Sequence, residues 1–278
     1  MSADQQQQDP DYLLRETDRE VERLRKQHRW LGACLKEKIV FAPVDLGDAS
    51  LKVLDVGCIL LRDLRKEIAP SAQLVGLDYM ASFLHDSPDG NIRYVTGDAC
   101  EKPAGDLVGA FGLTHVRFVL PGCGSVGADR VVANLAETLA PGGWLQIQEM
   151  DLSAGRTSDP SALNDVLDLF EAVFEGGGMG GRFSAKLGES LSKAGLENVT
   201  LRSVELRVGR RLAADEGLRR LSVEPFKMTI PTLVGTAKAM GADLPESVFD
   251  ELEERFEEEM LETGGTFGAF IAYGQRAL

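Results

Sequence analysis

Short apolar runs alternate with amphipathic stretches over the first half of the chain. Several of these runs have the length and composition of buried strands, and the first three end at glycine or an acidic residue. Stretches with helical spacing, such as residues 129–139, lie between some of them. Strands that alternate with helices predict an open α/β sheet with mostly parallel strands. The predicted strands are residues 52–56, 73–78, 92–98, 112–118 and 144–150.

The second half of the chain has a different pattern. Two further strands are predicted, and a long helical stretch, residues 211–262, separates them. Pro225 and Pro231 predict breaks within that stretch. We interpret it as an insertion that forms a wall or lid of a substrate site. The expected segments are a disordered tail at 1–10, an N-terminal helical cover at 11–46, an α/β core at 47–155 and a C-terminal part at 156–278.

Composition narrows the classes of partner. The chain has 30 basic and 44 acidic residues, a net charge of −14, so its surface repels phosphate backbones and a nucleic-acid partner is disfavoured. No apolar run reaches the roughly 18 residues needed to span a bilayer, and the first residues do not resemble a secretory signal. The four cysteines lack the spacing of metal ligands. We therefore expect a cytoplasmic protein with no metal and no membrane partner.

The ends of the predicted strands hold the candidate binding residues, because open α/β sheets bind ligands beyond the carboxyl ends of their strands. Asp55 and Gly57 end the first strand, Asp78 the second and Asp98 the third. Asp55 is placed to face a ligand amine, Asp78 a ribose diol and Asp98 an adenine amine. Each carboxylate taken alone is better explained as a cap of the turn that follows it. Their order and spacing together favour a nucleotide site.

Four segments resemble those of a known family. Over roughly residues 20–155 the chain resembles class I S-adenosylmethionine-dependent methyltransferases, and in particular the fungal secondary-metabolite subgroup. The resemblance implies the seven-stranded, Rossmann-like methyltransferase fold, with a mostly parallel sheet, helices on both faces and S-adenosylmethionine as cofactor. The segments are Arg23-Leu-Arg-Lys-Gln-His28, Gln73-Leu-Val-Gly-Leu-Asp78, Thr114-His-Val-Arg117 and Pro141-Gly-Gly-Trp-Leu-Gln146.

The resemblance also implies roles for particular residues. The end of the fourth strand flanks the methionine portion of the cofactor, and the helix that carries His28 covers that pocket. His115 and Arg117 share one face of the strand at i, i+2, and His115 is the candidate catalytic residue, as a base. The implied cofactor-binding residues are Asp55, Gly57, Cys58, Asp78, Asp98, Ala99, Val116 and Arg117.

One departure from the family pattern follows the first strand. The family has a turn of the form Asp-x-Gly-x-Gly-Thr-Gly, whereas Asp55-Val-Gly-Cys58 runs directly into Ile59-Leu-Leu-Arg-Asp-Leu64, so the alignment deletes Gly-Thr-Gly. Glycines in this turn let the backbone approach the ligand. Three interpretations stay open: a loop re-formed in another way, weakened or lost cofactor binding, and an error in the gene sequence.

The leading functional hypothesis is methyl transfer to an oxygen, nitrogen or carbon atom of a small secondary metabolite. One alternative is a methyltransferase-fold protein that has lost methyl transfer and acts as a cyclase or isomerase. Another is a non-catalytic partner of a related methyltransferase, and the assembly stays open between such a pairing and a homodimer. A nicotinamide oxidoreductase is disfavoured, because no Gly-x-Gly-x-x-Gly follows Val56.

Overall fold

The computed structural model describes residues 18–57, 61–80 and 91–278. Its core is one sheet of seven strands. The strands are β1 (Lys52–Val56), β2 (Gln73–Asp78), β3 (Ile92–Thr96), β4 (Phe111–Arg117), β5 (Leu139–Asp151), β6 (Glu197–Val208) and β7 (Gly265–Gln275). Their order across the sheet is β3-β2-β1-β4-β5-β7-β6. β1 to β5 pair in parallel, and β7 is antiparallel to both of its neighbours. The predicted seven-stranded, mostly parallel sheet is therefore confirmed.

Eight α-helices surround the sheet in the part of the chain that the structure describes. They are α1 (Asp18–Leu35), α2 (Leu61–Glu67), α3 (Ala128–Ala136), α4 (Ala162–Gly176), α5 (Leu187–Lys193), α6 (Glu216–Ala239), α7 (Glu246–Phe249) and α8 (Leu252–Glu262). The last three lie between β6 and β7. None of these described helices is both long enough and apolar enough to cross a membrane.

The predicted breaks at Pro225 and Pro231 are wrong, because α6 continues through both prolines. Each proline removes one backbone donor, which makes a continuous helix costly on local grounds. The helix nevertheless buries one face in the core, including Phe226 and Ile230. Burial of such side chains contributes roughly 1.5–3 kcal/mol each, which is enough to offset the local cost. The helical stretch is instead interrupted between α7 and α8, where Glu251 has a φ of +43°.

The two faces of the central strands differ in polarity. The strand register places Asp55, His115 and Gln146 in one row across β1, β4 and β5, and Arg117 and Gln148 in a second row on the same face. On the opposite face the same strands carry apolar side chains that are buried in the core. These are Leu54, Val56, Val116 and Ile147. Polar groups therefore converge on one face at the carboxyl ends of β4 and β5.

An aromatic cluster holds α1 against the C-terminal half of the chain. The cluster consists of Trp30, Phe226, Phe256 and Phe267, and Phe226 stacks on Phe267 with ring centroids 4.2 Å apart. The indole Nε1 of Trp30 also donates a 2.8 Å hydrogen bond to the carbonyl of Arg207 at the end of β6. This anchoring places the polar side of α1 over the ends of β4 and β5.

Candidate functional site

A cavity of about 270 Å³ lies where α1 covers the ends of β4 and β5. This volume is just below the range of about 300–1,000 Å³ that is typical of small-molecule sites. Apolar residues of α1 and the loop that follows it form one wall, and α2 forms another. The polar lining residues used below are His28, Asp63, His115, Arg117 and Gln148.

His115 and Asp55 form a buried pair at the floor of this cavity. His115 Nδ1 lies 2.8 Å from Asp55 Oδ1, and each side chain is only 1% exposed. A carboxylate only accepts hydrogen bonds, so Nδ1 carries the hydrogen, and Nε2 of the neutral ring is an acceptor. His115 Nε2 is buried and has no hydrogen-bond partner among the described residues. His115 lines the cavity, and a histidine that a carboxylate orients is the arrangement of a general base.

Gln146 and Gln148 lie on the same face of β5 but differ in their bonding. Gln146 Oε1 accepts from the backbone amides of Phe41 and Ala42, at 2.6 and 3.0 Å, and its Nε2 donates to the carbonyl of Ile39. It therefore holds the loop after α1 against the sheet. Gln148 Nε2, by contrast, is buried without a partner within the described ranges and lines the cavity. Gln148 thus offers an unused donor to a ligand.

His28 connects three elements at the mouth of the cavity. Its Nε2 lies 2.6 Å from Asp63 Oδ2 on α2, and its Nδ1 lies 3.2 Å from Arg117 Nη2 at the end of β4. Arginine only donates, so Nδ1 accepts and Nε2–H donates to Asp63. Burial, together with the charge of Arg117, lowers the pKa of His28 from its ordinary value of 6.5. The neutral ring therefore suits both of its bonds.

Arg117 is a desolvated cation without an acidic partner in the described part of the chain. Burial lowers the pKa of its guanidinium to about 10, so it stays charged at neutral pH. The guanidinium donates a hydrogen bond to the neutral ring of His28, and the charges of Asp55 and Asp63 partly oppose the lowering of its pKa. No described carboxylate lies within 4.0 Å of its nitrogens. A desolvated charge is costly unless it is paired. With no described carboxylate in ion-pair contact, the guanidinium keeps donors for a bound anion, although Glu37, Asp63 and Glu67 also line the cavity.

The acids at the ends of β2 and β3 cap their own turns. Asp78 Oδ1 accepts from the backbone amide of Met80 at 3.0 Å, and Asp98 Oδ1 accepts from that of Cys100 at 2.8 Å. Both acids are half-buried at the edge of the sheet where a ligand is expected. Their predicted contacts to ribose and adenine stay predictions.

The remaining predicted residues are divided between the core and the turn after β1. The side chains of Ala99 and Val116 are buried in the core, and neither lines the cavity. Cys58 lies outside the described residues, as do Ile59 and Leu60, which follow it at the deletion. Gly57 directly follows β1 with a φ of +73°, and a Cβ there would lie 2.7 Å from Val119 Cγ2. This position requires glycine, as the strand-end pattern predicts.

Gln148 and Asp63 line the cavity but are not among the residues predicted from the sequence. Two glutamines at i, i+2 lie on one face of a predicted buried strand, and this is a signal that could have drawn attention to Gln148, since buried polar side chains need partners. Asp63 carries no such signal. Its place beside His28 depends on how α2 packs against α1, which spacing along the chain does not report.

Comparisons with known proteins find fungal methyltransferases. Methyltransferase psoC of Aspergillus fumigatus is 30% identical over 261 residues, which cover 93% of this chain and 94% of psoC. N-methyltransferase sirN of Leptosphaeria maculans is 32% identical over 275 residues, which cover 95% of this chain and 94% of sirN. N-methyltransferase tcpN of Claviceps purpurea is 28% identical over 265 residues, which cover 92% of this chain and 94% of tcpN. No protein-family model matches the chain.

Solved structures share the fold at low sequence identity. A chain from the complex of the Haloferax volcanii Trm112 methyltransferase activator with a methyltransferase gives a TM-score of 0.51 at 13% identity, over 95% of this chain and 100% of that one. Phosphoethanolamine N-methyltransferase 2 of Haemonchus contortus, bound to S-adenosylhomocysteine, gives a TM-score of 0.50 at 16% identity. The match covers 90% of this chain and 52% of that one. The shared methyltransferase fold is consistent with the sequence comparison, in which the chain is 30% identical to psoC and 32% identical to sirN over nearly their whole lengths. The chain therefore belongs to the class I S-adenosylmethionine-dependent methyltransferases.

Proposed function

We propose that the protein transfers a methyl group from S-adenosylmethionine to a nitrogen atom of a small secondary metabolite. Nitrogen is favoured over oxygen and carbon because sirN and tcpN, which align over nearly the whole chain, are named N-methyltransferases. One observation carries the proposal. The Asp55–His115 pair borders the cavity under α1, and Nε2 of its ring is buried without a partner among the described residues, which leaves it available as a proton acceptor.

The polar lining of the cavity supports its assignment to the amino-acid end of the cofactor. Arg117 supplies a desolvated cation that lacks an acidic partner among the described residues, and Gln148 Nε2 supplies an unused donor. A carboxylate accepts charge-assisted hydrogen bonds from both kinds of group. The same carboxylate would compensate the charge of Arg117, whose neighbour His28 is neutral. We assign Arg117 and Gln148 to this carboxylate, and keep Asp78 and Asp98 as the proposed ribose and adenine contacts.

S-adenosylmethionine supplies an electrophilic methyl group whose departure leaves a neutral thioether. The residues of this chain then have two tasks. They hold the acceptor in line with that methyl group, which is the larger part of the rate enhancement. They also take up the proton that the acceptor N–H loses as its new bond to carbon forms. His115 Nε2 accepts this proton, and Asp55 stabilises the resulting imidazolium.

Two measurements test the proposal. Calorimetry with S-adenosylmethionine and S-adenosylhomocysteine is expected to show binding. If neither compound binds at millimolar concentration, the proposal is contradicted. Incubation with methyl-deuterated cofactor and a panel of small amides, amines, phenols and enols is expected to label an N–H compound. Labelling restricted to oxygen or carbon would refute the choice of nitrogen. An isobaric product would favour the cyclase alternative.

Variants separate the catalytic role of His115 from a binding role. His115→Asn is expected to lower kcat by roughly 100-fold, a range typical of general-base removal, with the Kd for S-adenosylhomocysteine within about twofold of wild type. Asp55→Asn is expected to lower kcat in the same direction, because it removes the carboxylate that orients the ring. A loss of cofactor affinity without a separate loss of kcat would show that His115 only shapes the cavity.

A further inference from the structure

A second cluster of reactive side chains lies outside the cavity. It consists of Asp98, Cys100 and Cys123, and one ligand atom from each lies within 4.8 Å of the others. Asp98 and Cys100 are in the turn after β3, and Cys123 ends a short 3₁₀ helix, Leu120–Cys123, that follows β4. None of the three lines the cavity under α1. The cluster is therefore separate from the proposed base.

The donor set of this cluster is that of a zinc site. Zinc binds cysteine thiolates at about 2.3 Å and carboxylate oxygens at about 2.0–2.2 Å, so ligand atoms around a tetrahedral ion are about 3.3–3.8 Å apart. The spacing of at most 4.8 Å needs a closure of only about 1 Å. Two thiolates select zinc over magnesium or calcium, which prefer oxygen ligands.

The surroundings of the cluster hold two of the ligands in place. Asp98 Oδ1 accepts a 2.8 Å hydrogen bond from the backbone amide of Cys100, so these two residues form one tight turn. The third, Cys123, is only 4% exposed and packs in the hydrophobic core. Asp98 and Cys100 are half-buried, which leaves a fourth position for water. A partly open site with three protein ligands is common for zinc.

We propose that Asp98, Cys100 and Cys123 bind one Zn²⁺ ion. Binding converts both thiols to thiolates, and the two protons pass to the buffer. The zinc site also affects methyl transfer if Asp98 binds the adenine of the cofactor, and this assignment of Asp98 rests on the proposed function. Zinc and cofactor then compete for Asp98, and zinc inhibits the enzyme.

The full-length protein, reduced and free of metal, provides the test. Titration with Cd²⁺ is expected to produce thiolate-to-metal absorption that saturates at one ion per chain, and Zn²⁺ is expected to displace it. Cys100→Ser and Cys123→Ser are expected to weaken binding at least 100-fold. Cys34→Ser is the matched control, because Cys34 lies elsewhere, with its Sγ 3.4 Å from the carbonyl of Arg207, and it should bind like wild type.

Three outcomes would overturn the proposal. These are no cadmium–thiolate absorption in the reduced wild type, unchanged absorption in Cys123→Ser, and loss of binding in Cys34→Ser. Circular dichroism checks that the serine variants are folded, and Cys123→Ala replaces Cys123→Ser if the latter is not. Zinc that binds as expected without raising the Kd for S-adenosylhomocysteine would leave the site standing, and would show instead that Asp98 does not hold the adenine.

Discussion

Arg117 Nη2 lies 3.2 Å from His28 Nδ1, so the end of β4 donates a hydrogen bond to the N-terminal helix across 89 residues of sequence. The same imidazole donates through Nε2 to Asp63 on α2. Three elements around the cavity thus meet at one ring. The bond from Arg117 requires an unprotonated Nδ1, so this junction depends on His28 being neutral.

Acidification is expected to weaken this junction. The pKa of His28 is lowered in the folded protein by burial and by Arg117, although Asp63 and Glu37 oppose the shift. As pH falls below about 6.5, the unfolded chain therefore binds its proton before the folded protein does, and the free energy of unfolding decreases. Urea unfolding between pH 7.5 and 5.5 should show a steeper loss in wild type than in His28→Gln. Equal slopes would show that His28 is not responsible.

Glu149 is expected to act on stability in the opposite direction. It is 1% exposed, and burial raises its pKa to about 8 although its Oε1 accepts from the amides of Val119 and Leu120. The folded protein therefore holds this proton up to higher pH than the unfolded chain, whose carboxyl titrates near 4.3. The stability contribution is complete below that pH and is lost as pH rises through about 8.

Glu149→Gln tests this expectation, because the amide keeps an acceptor oxygen for both backbone donors and does not titrate. The variant should match wild type near pH 5 and exceed it at pH 8.5, by an amount on the order of 1–3 kcal/mol. The measurement is the free energy of unfolding across this range. A variant with the same pH slope as wild type would contradict the assignment.

The bounds of β1 and β2 were predictable from the sequence, whereas the start of β5, at Leu139 rather than residue 144, and the course of α6 were not. β1 and β2 have the predicted bounds, since buried parallel strands are nearly continuous apolar runs. The breaks predicted at Pro225 and Pro231 rest on local rules alone. They neglect the packing of Phe226 against Trp30 and Phe267, which are distant in sequence.

Arg117 is expected to contribute to cofactor affinity. Arg117→Met keeps an apolar side chain of similar length and removes the charge proposed to bind the carboxylate. The Kd for S-adenosylhomocysteine should rise by roughly 10- to 100-fold, the usual cost of losing a charge-assisted contact. Arg182→Met is the control, because Arg182 is 72% exposed and does not line the cavity. An unchanged Kd in Arg117→Met would place the carboxylate elsewhere.

Gly57→Ala is expected to destabilise the turn after β1. Its φ of +73° is unfavourable for alanine, and the added Cβ would lie 2.7 Å from Val119 Cγ2. Together these effects should lower the free energy of unfolding by about 1–3 kcal/mol. Val119→Ala removes the contacting methyl group, so the double variant should recover the steric part and retain the backbone part. Additive losses in the double variant would rule out this contact as the cause.

The candidate site was predictable in location but not in its pairings. The rule for open α/β sheets places Asp55, His115 and Arg117 at one edge. The bond between Asp55 and His115 depends on the register of two strands whose residues are 60 positions apart, which no local pattern reports. In the same way, no local pattern reports that the loop after α1 bonds to Gln146, whereas Gln148 Nε2 has no partner within the described ranges.

The attachment of α1 to α6 has a consequence for the order of folding. Trp30 contacts Phe226, and Lys26 forms an ion pair with Glu224, which lies 198 residues further along the chain. Contacts at such separation close very long loops and form slowly, whereas β1, β2 and β3 join neighbouring segments. During refolding the strand ends are therefore expected to assemble while still open to water. The step that encloses them comes last, so the ability to retain a ligand marks the completion of folding.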